Sequence, residues 1–263
     1  MNILFLEEFY CQKDLIKILK EEKQILEVYY DSDIKSKLEV NIIFTRLKFF
    51  LDKKLLSKYP NLKFIVTPTT GLTHIDIEYC DFKNIRIISL KNKTKILNKF
   101  TGTAELALGL MIALNLNLNK VINSTKKGIW DRNIFMSYQL FDKNLGIIGF
   151  GRLGKMLSNY CQSLGMKILC YDPKKIIKDK NIKQVDLNYL LQKSDFISIN
   201  ASYKKQENFH LVGQTEIDLM KENAIVVNTA RGELLDLKYL IKKLEQKKIR
   251  GIGIDTIENE YYI

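Results

Sequence analysis

The chain has 263 residues, 46% of them hydrophobic, which is enough to bury one large or two medium cores, and its formal net charge is +12. Basic charge attracts nucleic acid, but only six of the 42 basic residues are arginine and the lysines are scattered, so we expect no nucleic-acid partner. No stretch approaches the roughly 18 apolar residues of a membrane span, and the acidic N-terminus is unlike a signal peptide, so we predict a cytoplasmic protein without a membrane partner.

The first hundred residues alternate β-rich runs with helical patterns. Four short runs are typical of strands: NILFLE, VNIIFTR, LKFIVTP and IRIISL. Between the first two lies LIKILKEEKQIL, whose apolar residues recur three and four apart, as in an amphipathic helix. A long apolar helix, TAELALGLMIALNLNL, is predicted over residues 103–118.

After this helix the alternation of strands and helices restarts. The apolar runs LGIIGF, KILCYD, FISIN, AIVVNTA and IRGIGID are separated by helical segments such as LNYLLQKS and LKYLIKKLEQKK. Strands without polar alternation, placed between helices, are typical of a parallel sheet covered on both faces. We therefore predict an α/β protein with two doubly wound parallel-sheet domains, residues 1–98 and 99–263.

A glycine-rich turn follows the strand LGIIGF. Gly149, Gly151 and Gly154 form a GxGxxG pattern, and a helix of about a dozen residues begins there. The first glycine permits a sharp turn, the second lets a pyrophosphate approach the backbone, and the third lets the helix pack closely on the strand. The pattern favours a dinucleotide site, with a purely structural turn or a methyltransferase cofactor site as alternatives.

The next strand ends at Asp172, 18 residues after Gly154. A carboxylate at this place accepts hydrogen bonds from the adenosine ribose hydroxyls and repels a 2′-phosphate, which favours NAD over NADP. Lys174 and Lys175 follow; they either soften this preference or form a solvated pair.

Two later strands end in charged residues. Arg231 follows the buried strand AIVVNTA, where a guanidinium needs an anionic partner such as a substrate carboxylate. Asp255 follows IRGIGID, with Glu258 and Glu260 close behind, and both glutamates could be ordinary loop carboxylates.

The cysteines and histidines indicate no metal site. The cysteines Cys11, Cys80, Cys161 and Cys170 form no CxxC pair and have no histidine cluster nearby, so we expect reduced, mostly buried thiols. Of the two histidines, His74 is predicted to pack in the interior or to line a cleft, and His210 to lie solvated in a polar loop.

At this point the sequence resembles the D-isomer-specific 2-hydroxyacid dehydrogenases, most of all their phosphoglycerate-dehydrogenase-like members. The similarity covers nearly the whole chain in the expected order: LKFIVTPTTGLTHID, TGTAELALGLMIALNLN, GIW, LGIIGFGRLGKML, SLGMKILCYDP, DLNYLLQKSDFISIN, LMKENAIVVNTARGELLD and GIGIDTIENE. The resemblance implies a flavodoxin-like substrate domain, a Rossmann NAD domain and hydride transfer between NAD and C2 of a D-2-hydroxy or 2-keto acid.

The resemblance also implies residue roles. The backbone at Thr70 and Gly71 would hold the substrate carboxylate, Arg231 would bind carboxylate and carbonyl, and Glu260 would orient a catalytic histidine. Cofactor contacts are predicted for Thr103, Gly149, Gly151, Arg152, Leu153, Gly154, Asp172, Ala201, Thr229, Ala230 and Asp255. Arg46 is either a phosphate-binding residue or a surface residue at a strand end.

The sequence departs from the family pattern in several places. Asn200 and Ser202 replace a usual His and Pro, and Ile257 and Tyr261 replace the Phe and Pro expected around the glutamate. Neither histidine stands at the family's catalytic position.

The family pattern continues past the glutamate, whereas this sequence stops at Ile263. We therefore expect a truncated chain that binds NAD better than it turns over, with its last strand left as an edge that a homodimer would cover. The alternatives are a noncatalytic NAD-binding module and, on charge alone, a nucleic-acid-binding protein.

Overall fold

The computed structural model describes residues 2–8, 12–21, 27–30, 39–131 and 136–260. Cys11, Tyr261 and the end of the first amphipathic helical pattern lie outside these residues. The chain divides into two compact units, with the break between Leu97 and Asn98.

The first unit contains a five-stranded parallel sheet in the order β2-β1-β3-β4-β5. Its strands are β1 Asn2–Phe5, β2 Glu27–Tyr30, β3 Val40–Phe44, β4 Phe64–Thr67 and β5 Arg86–Ser89. Its helices are α1 Gln12–Glu21, α2 Lys53–Leu56, α3 Ile77–Phe82 and α4 Thr94–Leu97. This strand order is that of flavodoxin-like folds.

The second unit contains a six-stranded parallel sheet in the order β11-β10-β9-β6-β7-β8. Its strands are β6 Asn144–Ile148, β7 Lys167–Tyr171, β8 Ile182–Gln184, β9 Phe196–Ile199, β10 Ala224–Asn228 and β11 Ile249–Ile254. Its helices are α5 Gly102–Asn115, α6 Leu118–Lys126, α7 Arg152–Ser163, α8 Leu187–Lys193, α9 Lys205–Asn208, α10 Gln214–Asp218 and α11 Leu237–Glu245.

Both faces of this second sheet are covered by helices. Ala107 of α5 and Leu157 of α7 belong to one buried cluster, while Leu190 of α8 and Leu240 of α11 belong to the other. The strand order is that of a Rossmann fold, with a switch point between β6 and β9. The predicted fold class, two doubly wound parallel-sheet domains, is confirmed.

One predicted helix boundary needs correction. The apolar helix predicted over 103–118 ends at Asn115, because Asn117 takes a left-handed backbone conformation with φ of 51° and α6 starts after it. Within the described residues no single helix is long and apolar enough to cross a membrane, although the bent run Thr94–Asn115 with Leu118–Lys126 passes that test on length and composition alone.

Three of the cysteines follow the prediction of buried thiols. Cys80, Cys161 and Cys170 are free and buried, and burial raises the pKa of Cys161 and of Cys170 to about 12. Such thiols are unreactive as nucleophiles or metal ligands near neutral pH.

Candidate functional site

The glycine-rich turn joins β6 to α7 through very close backbone contacts. Gly149 has a φ of 91°, and a Cβ built on it would lie 2.6 Å from the backbone of Ala201. A Cβ on Gly154 would lie 2.4 Å from the carbonyl oxygen of Gly149. Side chains are therefore excluded at both positions, and the turn packs directly against Ala201, two residues after the end of β9.

The start of α7 faces open space. Gly151 is the N-cap residue without a side-chain capping bond, and a Cβ on it would meet no atom within 4 Å. The first turn of the helix thus offers amide groups and the positive end of the helix dipole to an anion. Arg152 donates from Nη1 to the carbonyl oxygen of Phe100 (2.6 Å), and Leu153 packs against a buried cluster.

Asp172 closes the glycine turn from the side of β7. Its Oδ2 accepts a hydrogen bond from the amide of Phe150 (3.0 Å), and its Oδ1 accepts one from the amide of Lys174 (3.0 Å). Each carboxylate oxygen keeps a second lone pair, so the group can still accept from hydroxyls. The carboxylate both fixes the turn and stands beside it.

A second cluster of polar residues follows β10. The buried Asn228 donates from Nδ2 to the carbonyl oxygen of Arg231 (2.8 Å), and its Oδ1 accepts from the amide of Ala230 (3.0 Å). These two bonds clamp the turn that carries Arg231. Thr229 is buried, and its hydroxyl has no hydrogen-bond partner among the described residues.

Arg231 and Glu260 lie within electrostatic reach of each other. Burial raises the pKa of Glu260, and the charge of Arg231 opposes that rise, while Glu233 and Asp255 add to it. A Cβ on Gly232 would lie 2.0 Å from the carbonyl carbon of Ile257, so the segment leading to Glu260 packs directly on the turn after Arg231. The substitution of Phe by Ile257 leaves this backbone contact in place.

His210 is half-buried and paired rather than freely solvated, which corrects the prediction for this residue. Its Nε2 lies 3.1 Å from Oε2 of Glu258, its ring stacks on Phe209 at 4.0 Å, and its side chain is only 29% exposed. No sequence pattern indicates this pair, because 48 positions separate its two members. The sequence analysis also missed Asn228, although this residue lies in the run AIVVNTA. Its two hydrogen bonds to the turn that carries Arg231 depend on how that turn folds.

The remaining residues with a predicted cofactor or substrate contact are divided between the two units. Thr103 lies in the first turn of α5, and Asp255 follows β11, with its amide donating to the carbonyl oxygen of Asn228 (3.1 Å). Thr70 and Gly71 belong to the first unit, in the loop after β4, where Oγ1 of Thr69 donates to the carbonyl oxygen of Gly71 (2.8 Å).

His74 and Arg46 also belong to the first unit. His74 is fully buried, with Nε2 3.5 Å from Oγ1 of Thr67, which fits the packing role. Arg46 is exposed after β3, and its amide donates to Oε1 of Glu7 (2.5 Å).

These features of the second unit fit a dinucleotide. The helix start has space for a pyrophosphate, the carboxylate of Asp172 suits a ribose diol, and the unpartnered hydroxyl of Thr229 is available to a ligand. All three follow parallel strands at their carboxyl ends, which is the edge where ligands of open α/β sheets bind.

Comparison with known proteins supports the same interpretation. The model of the D-isomer specific 2-hydroxyacid dehydrogenase catalytic domain matches residues 3–129, and that of the family's NAD binding domain matches residues 108–263. A D-3-phosphoglycerate dehydrogenase from Methanocaldococcus jannaschii is 32% identical over 255 residues, which cover 94% of this chain and 48% of that protein. A glyoxylate reductase from Thermococcus litoralis is 36% identical over 234 residues, which cover 85% of this chain and 69% of that protein.

A solved structure shows the same fold. The crystal structure of a D-lactate dehydrogenase from Aquifex aeolicus, complexed with NAD and lactic acid, superposes with a TM-score of 0.85 at 29% identity and covers 98% of this chain and 78% of that one. The chain spans about half the length of the Methanocaldococcus jannaschii relative.

Proposed function

Because this chain belongs to the D-isomer-specific 2-hydroxyacid dehydrogenases, we propose that it transfers a hydride between NAD and C2 of a small D-2-hydroxy or 2-keto acid. The observation that carries the proposal is the bond between the amide of Phe150 and the carboxylate of Asp172 (3.0 Å). It joins the glycine turn to the acidic residue in the arrangement that a dinucleotide requires.

The residues of the second unit would divide the work as follows. The amides at the start of α7 and the carboxylate of Asp172 would hold NAD, which supplies or accepts the hydride when bound. Arg231 would bind the substrate carboxylate and polarise the carbonyl, since a guanidinium forms paired hydrogen bonds with planar anions. Its turn is kept in place by Asn228, so little rearrangement is needed on binding.

Proton transfer is the remaining step. By resemblance to the family, Glu260 would orient a histidine. Burial raises the pKa of Glu260, and the nearby charge of Arg231 opposes that rise. His210 is engaged with Glu258 instead.

The acid that the enzyme reduces is proposed by class. The relatives named above are a phosphoglycerate dehydrogenase, a glyoxylate reductase and a D-lactate dehydrogenase, so we propose short 2-keto acids such as glyoxylate and pyruvate as first substrates to assay.

Arg231→Ala tests the substrate role. We expect this variant to lose binding of glyoxylate or pyruvate to the NADH complex, while its NADH affinity stays within about threefold, because the proposed NAD contacts lie elsewhere. Arg86→Ala, which removes an exposed guanidinium from β5, is the matched control and should change neither affinity. Isothermal titration measures both, and unchanged keto-acid binding in Arg231→Ala would show that Arg231 is structural.

We also propose that the chain forms a homodimer. Among the strands that the structure describes, β11 forms one edge of the second sheet, and unpaired strand edges favour association unless they are covered. Light scattering of the purified protein would test this, with a monomeric mass at micromolar concentration as the contradicting result.

A further inference from the structure

Lys174 and Lys175 lie two and three residues after Asp172, and each ammonium has a defined partner in the structure. Lys175 donates from Nζ to the carbonyl oxygen of Phe150 (3.1 Å), within the glycine turn. Lys174 instead forms an ion pair with Glu207, with Nζ 2.8 Å from Oε2. A carboxylate from a distant part of the chain thus pairs with the ammonium of Lys174, and both side chains stay at least half exposed.

The ion pair joins the segments that follow the two strands on either side of β6. Lys174 follows β7 and Glu207 lies in α9, which follows β9, while β6 with its glycine turn lies between those two strands. The amide of Lys174 donates to Oδ1 of Asp172 (3.0 Å), so this lysine is fixed beside the carboxylate that should select the ribose.

Local bonds hold Glu207 in place. The side chain of Asn208 accepts from the amide of Lys204 (2.7 Å) and donates to the carbonyl oxygen of Ser202 (2.8 Å), which fixes the short helix α9 on its loop. Oε1 of Glu207 also pairs with Nζ of Lys204 (2.6 Å). The hydrogen bonds from Lys174 and Lys204 lower the pKa of Glu207 to about 2, so the group is ionised in any neutral binding assay.

We propose that Glu207 is a specificity-determining residue for the dinucleotide: it withholds the ammonium of Lys174 from a ribose 2′-phosphate, so that NAD is preferred over NADP. The inference rests on the proposed NAD-binding function. A lysine beside the ribose attracts a 2′-phosphate as a point charge when its own charge is unpaired. With Glu207 in place, Asp172 repels that phosphate and Lys174 offers little compensation.

The test compares the ratio of dissociation constants, NADPH over NADH, among variants by fluorescence titration. In Glu207→Gln the ratio should fall about fivefold, because Lys174 becomes available to the 2′-phosphate. Lys174→Ala should leave the ratio within about twofold, since that charge is already neutralised. The double variant Glu207→Gln with Lys174→Ala should return the ratio to within about twofold of the unmodified protein.

Lys204 provides the matched control. It pairs with the same carboxylate but from the same loop, so Lys204→Ala combined with Glu207→Gln should keep the full shift of Glu207→Gln. A shift that persists in the Glu207→Gln, Lys174→Ala variant would mean that Glu207 acts through its own charge, and would overturn the inference.

Two other outcomes separate this inference from the proposed function. An unchanged ratio in Glu207→Gln, with NADH still bound tightly, would overturn the inference alone. Failure of the unmodified protein to bind either dinucleotide would overturn the proposed function and the inference together.

Discussion

Asp172 combines a structural and a ligand-binding task in one side chain. Its two oxygens accept from the amides of Phe150 and Lys174, so the same carboxylate that should bind the ribose also fixes the glycine turn. The sequence predicted the ligand contact from spacing alone. It could not predict the structural bonds, because they depend on how the turn folds back on the strand end.

Asp172→Asn and Asp172→Ala separate the two tasks. The unmodified protein should bind NADH at least about tenfold more tightly than NADPH, and both variants should narrow that gap because the charge that repels the 2′-phosphate is lost. The alanine variant should also lose about 1–3 kcal/mol of unfolding free energy, whereas the asparagine variant keeps an acceptor oxygen and should lose less.

Urea unfolding and nucleotide titration of both variants provide the measurements. Equal affinities of the unmodified protein for NADH and NADPH would refute the role given to Asp172.

At the scale of elements, the sequence predicts the connection from β6 to α7, whereas two short strands elsewhere were not predicted. An apolar strand, three glycines and a helix follow one another without interruption. The spacing of the glycines predicts the sharp turn, the space for a pyrophosphate and the close packing of the helix on the strand. The strands β2 and β8 were not predicted, because EVYY and IKQ show no apolar run of the length seen at the other strands.

The end of α5 was also beyond the sequence pattern. Leu116 and Leu118 prolong the apolar pattern, yet Asn117 between them adopts φ of 51° and ends the helix. Asparagine tolerates this conformation better than most residues, but whether it does so here is decided by packing. The pairing of His210 with Glu258 has the same origin, in tertiary contacts between remote segments.

Alanine substitutions in the glycine turn should have separable effects. Gly151→Ala meets no atom within 4 Å, so it should cost about 1 kcal/mol or less in stability but weaken NADH binding at least about tenfold, because its Cβ projects where the pyrophosphate should lie. Gly154→Ala should cost about 1–3 kcal/mol, since its Cβ would lie 2.4 Å from the Gly149 carbonyl oxygen.

Gly109→Ala is the control for these variants. It lies in α5 with no atom near its Cβ, so it should stabilise the protein by about 0.5–1 kcal/mol and leave NADH binding unchanged. Full NADH affinity in Gly151→Ala would exclude the helix start as the pyrophosphate site.

At the scale of the whole molecule, the net charge and the fold depend on different residues: the charge on surface lysines, the fold on buried strands. Lysines meet carboxylates at several places in the described chain, including the pairs Lys167–Asp142, Lys221–Asp195 and Lys243–Asp218. Of these, only Lys167–Asp142 is exposed on both sides, and such exposed pairs contribute little to stability. The net charge of +12 therefore bears on which ligands the protein attracts more than on its fold. The fold follows from buried parallel strands, which the sequence displays clearly in both units.

The placement of NAD on the second unit is tested most directly by a crystal structure of the protein grown with NADH. We expect pyrophosphate oxygens within hydrogen-bond distance of the amides at the start of α7, and the hydroxyls of the adenosine ribose within that distance of the Asp172 carboxylate. A dinucleotide bound at another edge of the sheet, or a ribose turned away from Asp172, would contradict the assignment.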